Sequence, residues 1–148
     1  MDEKKEVKIK ISSKHNYGFG EVVPIEIVSM GELYKEDGFD ILSYEEVVNE
    51  DETGQVQVIN NELRIGETQV ELIKDGDAST HMIFVPNQKT ISYMSTPAGE
   101  MEIGVNTSVA EKIVYTNGFQ LKLQYELEMN QTLVTSCGLD IAVVDRQG

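Results

Sequence analysis

The sequence predicts an all-β fold, an antiparallel meander of about eight or more strands that closes into a barrel. Three observations predict it: strict alternation of apolar and polar residues, turn signals at short intervals, and no long apolar repeat with the period of a helix. A long meander has two outer edges, and closing the sheet removes them. We expect one barrel domain over residues 1–148, since no internal repeat or low-complexity linker interrupts the chain.

The segment FQLKLQYELEM, residues 119–129, is the clearest strand in the sequence. Its odd-numbered positions are all apolar, and its even-numbered positions are Gln, Lys or Glu. Successive side chains of a strand point to opposite faces, so this segment has one dry face and one solvated face. A helix would distribute the same residues around its axis, which excludes an amphipathic helix here.

The remaining strands are placed between turn motifs rich in Gly, Asn, Asp and Pro. The turn motifs in chain order are KEDG (35–38), DETG (51–54), NN (60–61), IGE (65–67), KDGD (74–77), PNQ (86–88), PAG (97–99), TNG (116–118) and NQT (130–132). The candidate strands in chain order are 6–13, 25–35, 39–48, 55–65, 68–75, 78–85, 89–96, 100–106, 111–116, 119–129 and 133–144. An alternative for some neighbouring segments is that the two are parts of one bent strand. A capping-box spacing from Ser108 to Glu111 leaves a helical turn near 108–113 as an alternative to a strand.

The motif PAG fixes the register that we predict for the hairpin around it. If Pro97, Ala98 and Gly99 form a three-residue loop, with Gly99 left-handed, Tyr93 faces Ile103 across the ladder. Tyr93 and Ser95 then share the dry face of the hairpin. A slip of one residue would reverse the two faces, so the apolar pattern specifies this register.

Two further three-residue loops follow the same rule. A loop at 116–118 sets Ile113 against Leu121, and a loop at 130–132 sets Tyr125 against Cys137. The second loop also sets Leu121 against Ile141. Four consecutive strands then present one continuous apolar face, which includes Tyr125 and Cys137.

Charge and cysteine content narrow the partners and the compartment. The net charge is −14 and no basic cluster occurs, so the surface would repel a phosphate backbone or an anionic membrane. We therefore expect neither a nucleic-acid nor a membrane partner. Cys137 is the one cysteine, which suits a reducing compartment, and the N-terminal residues lack the apolar block of a secretory signal. These features predict a cytoplasmic protein.

No catalytic residue, metal site or cofactor is predicted. Neither histidine has the spacing of a zinc-ligand pair, and the acidic segments 49–54 and 74–79 lack the ligand spacing of a calcium loop. Cys137 and His81 could form a nucleophile–base pair, but Cys137 on the apolar face is better explained as a small core residue. Enzymatic activity is therefore the least favoured of three hypotheses.

Four segments together carry a resemblance to a known family: GELYKEDGFDILSYEE (31–46), VELIKDGD (70–77), ISYMSTPAGEMEIGVNT (91–107) and LKLQYELEMN (121–130). They resemble the YwiB-like family of small bacterial proteins of unknown function. Lys74 stands where an Arg is expected in many relatives. The resemblance extends over roughly residues 25–144. It implies a calycin-like or lipocalin-like barrel and a cytoplasmic bacterial protein, and it implies no activity.

Two functions rank ahead of enzymatic activity. The first is binding of a small, partly apolar ligand inside the barrel, with Tyr93, Ser95, Tyr125 and Cys137 as candidate ligand-binding residues. The second is a protein-interaction or structural module with a filled core. In this second case the acidic outer face, or an exposed strand edge, contacts a partner, and a homodimer is possible. A hollow interior favours the first function and a packed interior favours the second.

Overall fold

The structure is a computed structural model that describes residues 4–16, 25–49, 54, 56–76, 78–130 and 132–145. The strands are β1 (Lys5–Asn16), β2 (Ile25–Glu36), β3 (Phe39–Asn49), β4 (Val56–Ile65), β5 (Val70–Asp75), β6 (Ser79–Phe84), β7 (Gln88–Thr96), β8 (Gly99–Tyr115), β9 (Gly118–Met129) and β10 (Thr132–Asp145). Each strand is antiparallel to its neighbours in sequence, and β1 pairs with β10. The sheet is therefore a closed barrel, and the predicted all-β meander is confirmed.

Strand β8 joins two of the predicted strands into one element of 17 residues. Its register against β9 shifts between Thr107 and Val109, which places a β-bulge at Ser108. The helical turn considered for 108–113 is therefore not formed, and the strand interpretation of this segment is the correct one. Within the described part of the chain, no helix is long and apolar enough to cross a membrane.

The barrel interior is filled by one apolar cluster to which all ten strands contribute. On β9, the side chains of Phe119, Leu121, Leu123 and Tyr125 are buried, as the alternating pattern predicts. The buried members of the cluster are Val7, Ile9, Ile11, Leu42, Leu63, Ile65, Val70, Leu72, Met82, Phe84, Ile103, Val105, Phe119, Leu121, Leu123, Tyr125, Cys137, Ile141 and Val143. Partly buried apolar side chains of β2 and β7 complete it.

The β7–β8 hairpin has a different register from the predicted one. Thr96 pairs with Gly99, which leaves a two-residue turn, and Tyr93 therefore faces Glu102. The Thr96 hydroxyl accepts a hydrogen bond from the amide of Ala98 at 3.1 Å and donates one to the carbonyl of Gly99 at 2.8 Å. These bonds stabilise the tighter turn. The shift of one residue reverses the two faces of β7, so that Ile91, Tyr93 and Ser95 point outward.

The other two predicted registers have different outcomes. Tyr115 pairs with Gly118, so the β8–β9 turn is also tighter than predicted, and the pairing of Ile113 with Leu121 is wrong by one residue. Tyr125 does face Cys137, as predicted. This pairing arises from Thr132 facing Met129 and a register shift further along β10, rather than from a three-residue loop. The bulge adds back the residue that the shorter turn removes.

Candidate functional site

Tyr125 lies inside the barrel between Phe84 and Cys137. The Tyr125 and Phe84 rings are tilted at 58°, with their centroids 4.7 Å apart. The Tyr125 hydroxyl is hydrogen-bonded to the Cys137 thiol. Burial raises the pKa of the Tyr125 hydroxyl, and the neighbouring Cys137 raises it further. A buried tyrosine requires a hydrogen-bond partner, and the thiol is that partner here.

Cys137 is not placed for nucleophilic chemistry. Burial raises the pKa of its thiol, although hydrogen bonds with Tyr125 and Thr135 act in the opposite direction. The thiolate is the reactive form of cysteine, so a raised pKa keeps this residue unreactive near neutral pH. His81 lies on the outer face of β6, where its Nε2 is 2.8 Å from a carboxylate oxygen of Glu71. The Cys137–His81 pair considered from the sequence is not formed.

The structure separates the four residues predicted to line a ligand site. Tyr125 and Cys137 are buried on neighbouring strands, as predicted. Tyr93 and Ser95 lie on the outer face of β7, and 59% of Tyr93 is exposed. Their predicted place inside the barrel is wrong, because the two-residue turn reversed the faces of this strand. Ligand binding by Tyr125 and Cys137 stays a prediction.

A polar cluster of Tyr44, Glu46, Asn61 and Lys74 interrupts the apolar inner face of β3, β4 and β5. Glu46 Oε1 accepts hydrogen bonds from Lys74 Nζ at 3.4 Å and from Asn61 Nδ2 at 3.5 Å. Burial raises the pKa of Tyr44, and the Glu46 carboxylate raises it further. Asn61 is 3% exposed, and its Oδ1 has no hydrogen-bond partner among the described residues. The inward position of Lys74 follows from its alternation with Val70 and Leu72, a signal that the sequence already contains.

One mouth of the barrel forms an open cup of about 680 Å³. Its floor consists of Ile65, Val70 and Leu121, which belong to the apolar core. At the rim, Lys112 of β8 forms an ion pair with Asp40 of β3. The Lys112 ammonium also lies 4.8 Å from the centroid of the Phe119 ring. The cup is therefore bounded by the filled core below and by a fixed ion pair at its edge.

A second recess of about 680 Å³, which we call the outer groove, crosses the outside of the barrel from β1 to β5. Glu6, Glu32, Ser43, Glu62 and Ile73 line it, and they are successive partners across these five strands. Further lining residues are Met30, Gly31, Tyr44, Glu45, Asn60, Asn61 and Asp75. The groove thus combines five carboxylates with the apolar side chains of Met30 and Ile73, and it reaches the polar cluster at Tyr44 and Asn61. The strand register brings these residues, which are distant in sequence, into one row.

The β2–β3 ladder ends in the wall of this groove, at the pair Gly31 and Tyr44. A Cβ on Gly31 would lie 2.6 Å from the carbonyl oxygen of Ser43 and 2.6 Å from Cδ1 of Ile9, so the strands approach closely there. Beyond this pair, residues 25–30 are paired only with β1, and residues 45–49 only with β4, within the described part of the chain. We call the gap between these two segments the β2–β3 cleft.

Apolar side chains surround the β2–β3 cleft on the outer face. Val47 and Val58 face each other across the β3–β4 ladder and are 63% and 45% exposed. Val28, Met30 and Val56 are also exposed. Strand β4 pairs with β5 only from Asn60 onward, so residues 45–49 and 56–59 form a two-stranded arm beyond the barrel wall. Exposed apolar residues in one patch are typical of an interaction surface.

In the described ranges, no group of three or more His, Cys, Asp or Glu side chains is arranged to hold a metal ion. Instead, the described part of the chain offers a packed apolar core, a row of carboxylates in the outer groove, and strand backbone at the β2–β3 cleft that no described strand pairs. The polar cluster and the β2–β3 cleft are connected, because Gly31, Tyr44, Asn61 and Lys74 are successive partners across β2 to β5.

Comparisons with known proteins place the chain in a family. The structure is similar to the crystal structure of the ywiB protein from Bacillus subtilis, with a TM-score of 0.81 and 17% sequence identity over 97% of this chain and 94% of that chain. At this identity the match shows a shared fold. No curated protein matches the chain. The model of a domain of unknown function, DUF1934, matches residues 9–141. The resemblance to a YwiB-like family is thereby confirmed, and the chain belongs to the DUF1934 family of domains of unknown function.

Proposed function

We propose that this protein is an interaction module, in which the filled barrel is a rigid scaffold and a protein partner binds the outer wall at the outer groove and the β2–β3 cleft. The observation that carries the proposal is the packed interior. The space along the barrel axis is taken by side chains from all ten strands. A partner of any size therefore has to bind at the surface.

The packed interior counts against an enclosed ligand. A barrel of about eight strands has an interior that side chains can just fill, or that can hold one small ligand. Here Phe84 and Leu63 are fully buried, and Tyr125 packs against Phe84. A ligand enclosed among these residues would have to displace close-packed side chains, and close packing is what gives the core its stability.

The outer wall supports the proposal through its chemistry. Exposed apolar residues of the β3–β4 arm lie beside a groove rimmed by carboxylates. Protein interfaces commonly combine an apolar centre with a polar rim. The groove also spans five strands, which is enough length for a partner to make contacts on several of them.

A photoactivatable amino acid placed at Val58 would test this proposal in cells of the source organism. Val114 is the matched control, because it is a valine that is 72% exposed and lies on β8, away from the groove. We expect a discrete crosslinked product at Val58 and none at Val114. The partner captured at Val58 should then be identified and purified on its own. It should form a complex of defined stoichiometry with the unmodified chain. Equal crosslinking at both positions, or none at Val58, would contradict the proposal.

Small-molecule binding at the cup is a second candidate function. The cup has the volume of an ordinary ligand pocket, and its floor is apolar. A thermal-shift screen of small apolar compounds would identify ligands. Replacing Ala110, which lines the cup, with Phe should abolish any such shift, whereas Val58→Phe should preserve it. Shifts that survive Ala110→Phe would exclude the cup as their site.

A further inference from the structure

We infer that the segment of the partner that binds this wall is extended and basic, and that it adds to the β2–β3 cleft as a strand. This inference rests on the proposed function and names the chemistry of the partner. It follows from the unpaired strand backbone, the exposed apolar residues and the charge of the wall.

The backbone of the cleft is the first step. Among the described residues, 45–49 pair with β4 only and 25–30 pair with β1 only. Toward the gap between them, each segment therefore presents backbone groups that no described strand pairs. A hydrogen bond from Ser29 Oγ to the carbonyl of Glu45, at 3.3 Å, spans the gap next to the last pair of the ladder. An unpaired edge is the feature to which an extended peptide adds by strand pairing.

The side chains beside the cleft indicate which residue types alternate along the partner segment that is added as a strand. On the outer face, Val28 and Val47 are exposed on the two sides of the gap, and Met30 and Glu45 follow one step along. An added strand would place alternate side chains on this same face. Apolar residues of the segment would cover the valines, and its next outward residues would reach the carboxylates of the groove.

Charge selects a basic segment over a second copy of this chain. The groove carries five carboxylates, from Glu6, Glu32, Glu45, Glu62 and Asp75, and Arg64 lies 3.5 Å from one of them, Glu62. The whole chain has a net charge of −14. Two copies joined at this wall would bring like charges together, which is costly at an interface. Lysine or arginine side chains of a partner would instead be attracted.

The direct test uses the full chain and a fluorescently labelled peptide of about ten residues that alternates lysine and valine, the length of a typical long strand. Fluorescence anisotropy should show binding. A peptide with glutamate in place of lysine should not bind. Raising the salt from about 0.1 M to about 1 M should weaken binding, since the screening length falls from about 10 Å to about 3 Å. A peptide methylated on every backbone amide keeps its charges but cannot donate hydrogen bonds, and it should bind at least about tenfold more weakly.

Substitutions on the chain locate the peptide. Glu32→Gln and Glu45→Gln should each weaken binding by about twofold to fivefold, the range expected for one exposed ion pair. Glu126→Gln is the matched control, because this exposed residue lies on the outer face of β9 and its substitution changes the net charge equally. Val47→Ser should weaken binding, whereas Val114→Ser should leave it unchanged.

Three results would overturn the inference: equal binding of the methylated peptide, equal effects of Glu126→Gln and Glu45→Gln, or a concentration-dependent dimer that Val47→Ser abolishes and that excludes the peptide from the wall. The last result would identify a second copy as the occupant. Loss of peptide binding together with a persistent crosslink at Val58 would overturn this inference alone. Absence of that crosslink would overturn the proposed function itself.

Discussion

Replacing Phe84 with alanine measures whether the barrel interior is packed. Phe84 is fully buried, and its ring contacts that of Tyr125. Removing a buried ring loses its transfer free energy and leaves a cavity that the surrounding side chains fill only in part. We expect the free energy of unfolding to fall by about 3–5 kcal/mol. The tilted ring pair accounts for about 0.5–1.5 kcal/mol of this loss.

The assay is equilibrium unfolding in urea, followed by the circular dichroism of the strands. The midpoint should shift to lower urea while the slope of free energy against urea stays constant, since the surface exposed on unfolding barely changes. Phe84→Leu keeps most of the side-chain volume and should lose at most about half as much stability. Val114→Ala, at an exposed position, should change stability by no more than about 0.5 kcal/mol.

A loss below about 1 kcal/mol in Phe84→Ala, with an unchanged slope, would refute the reasoning. Such a result would mean that the ring borders empty or solvated space. The barrel would then be hollow near Tyr125, and a small ligand enclosed in the barrel would become the better explanation of the fold.

Three further outcomes are expected from the same unfolding assay. Gly31→Ala should lose at least about 1 kcal/mol, because its Cβ would lie 2.6 Å from neighbouring atoms, whereas Gly138→Ala, with no atom within 4 Å, should be neutral; equal losses would contradict this. Tyr125→Phe should lose about 0.5–1.5 kcal/mol with its buried hydrogen bond, and Tyr93→Phe about zero. Stability should fall as pH rises above 9.0, the ordinary pKa of a thiol, because the unfolded state releases the Cys137 proton while the folded state, with its raised pKa, still holds it. The fall should be smaller in Cys137→Ala, and an identical pH profile would contradict the assignment.

Strict alternation was sufficient to predict β9 and its buried face. Each odd residue from Phe119 to Tyr125 is buried, because nothing in that strand competes with the alternating pattern. The pairing of Tyr125 with Cys137 was predicted correctly from an incorrect loop length, since a bulge in β10 compensates for a shorter turn. A β-bulge leaves no reliable signal in a single sequence, so such compensation is visible only in the structure.

Strand β7 shows why the other predicted residues failed. Ile91 and Tyr93 lie on one face and Met94 on the other, so both faces contain large apolar side chains. The apolar pattern therefore does not indicate which face of β7 is buried. The turn decides the register instead. The hydroxyl of Thr96 accepts a hydrogen bond from the amide of Ala98 and donates one to the carbonyl of Gly99 across the two-residue turn. These two local hydrogen bonds stabilise a register in which Ile91 and Tyr93 are exposed.

The candidate surface was difficult to predict because it depends on several strands at once. Glu6, Glu32 and Glu62 are far apart in sequence, and they form one row only because β1, β2, β3 and β4 pair in a particular register. Two departures from an ideal barrel meet at this place. The β2–β3 ladder stops at Gly31 and Tyr44, and Tyr44 is paired in turn with Asn61, whose Oδ1 is buried without a partner among the described residues. Local rules are often broken where a protein functions, so the end of the β2–β3 ladder beside the buried polar cluster favours this wall as the binding surface.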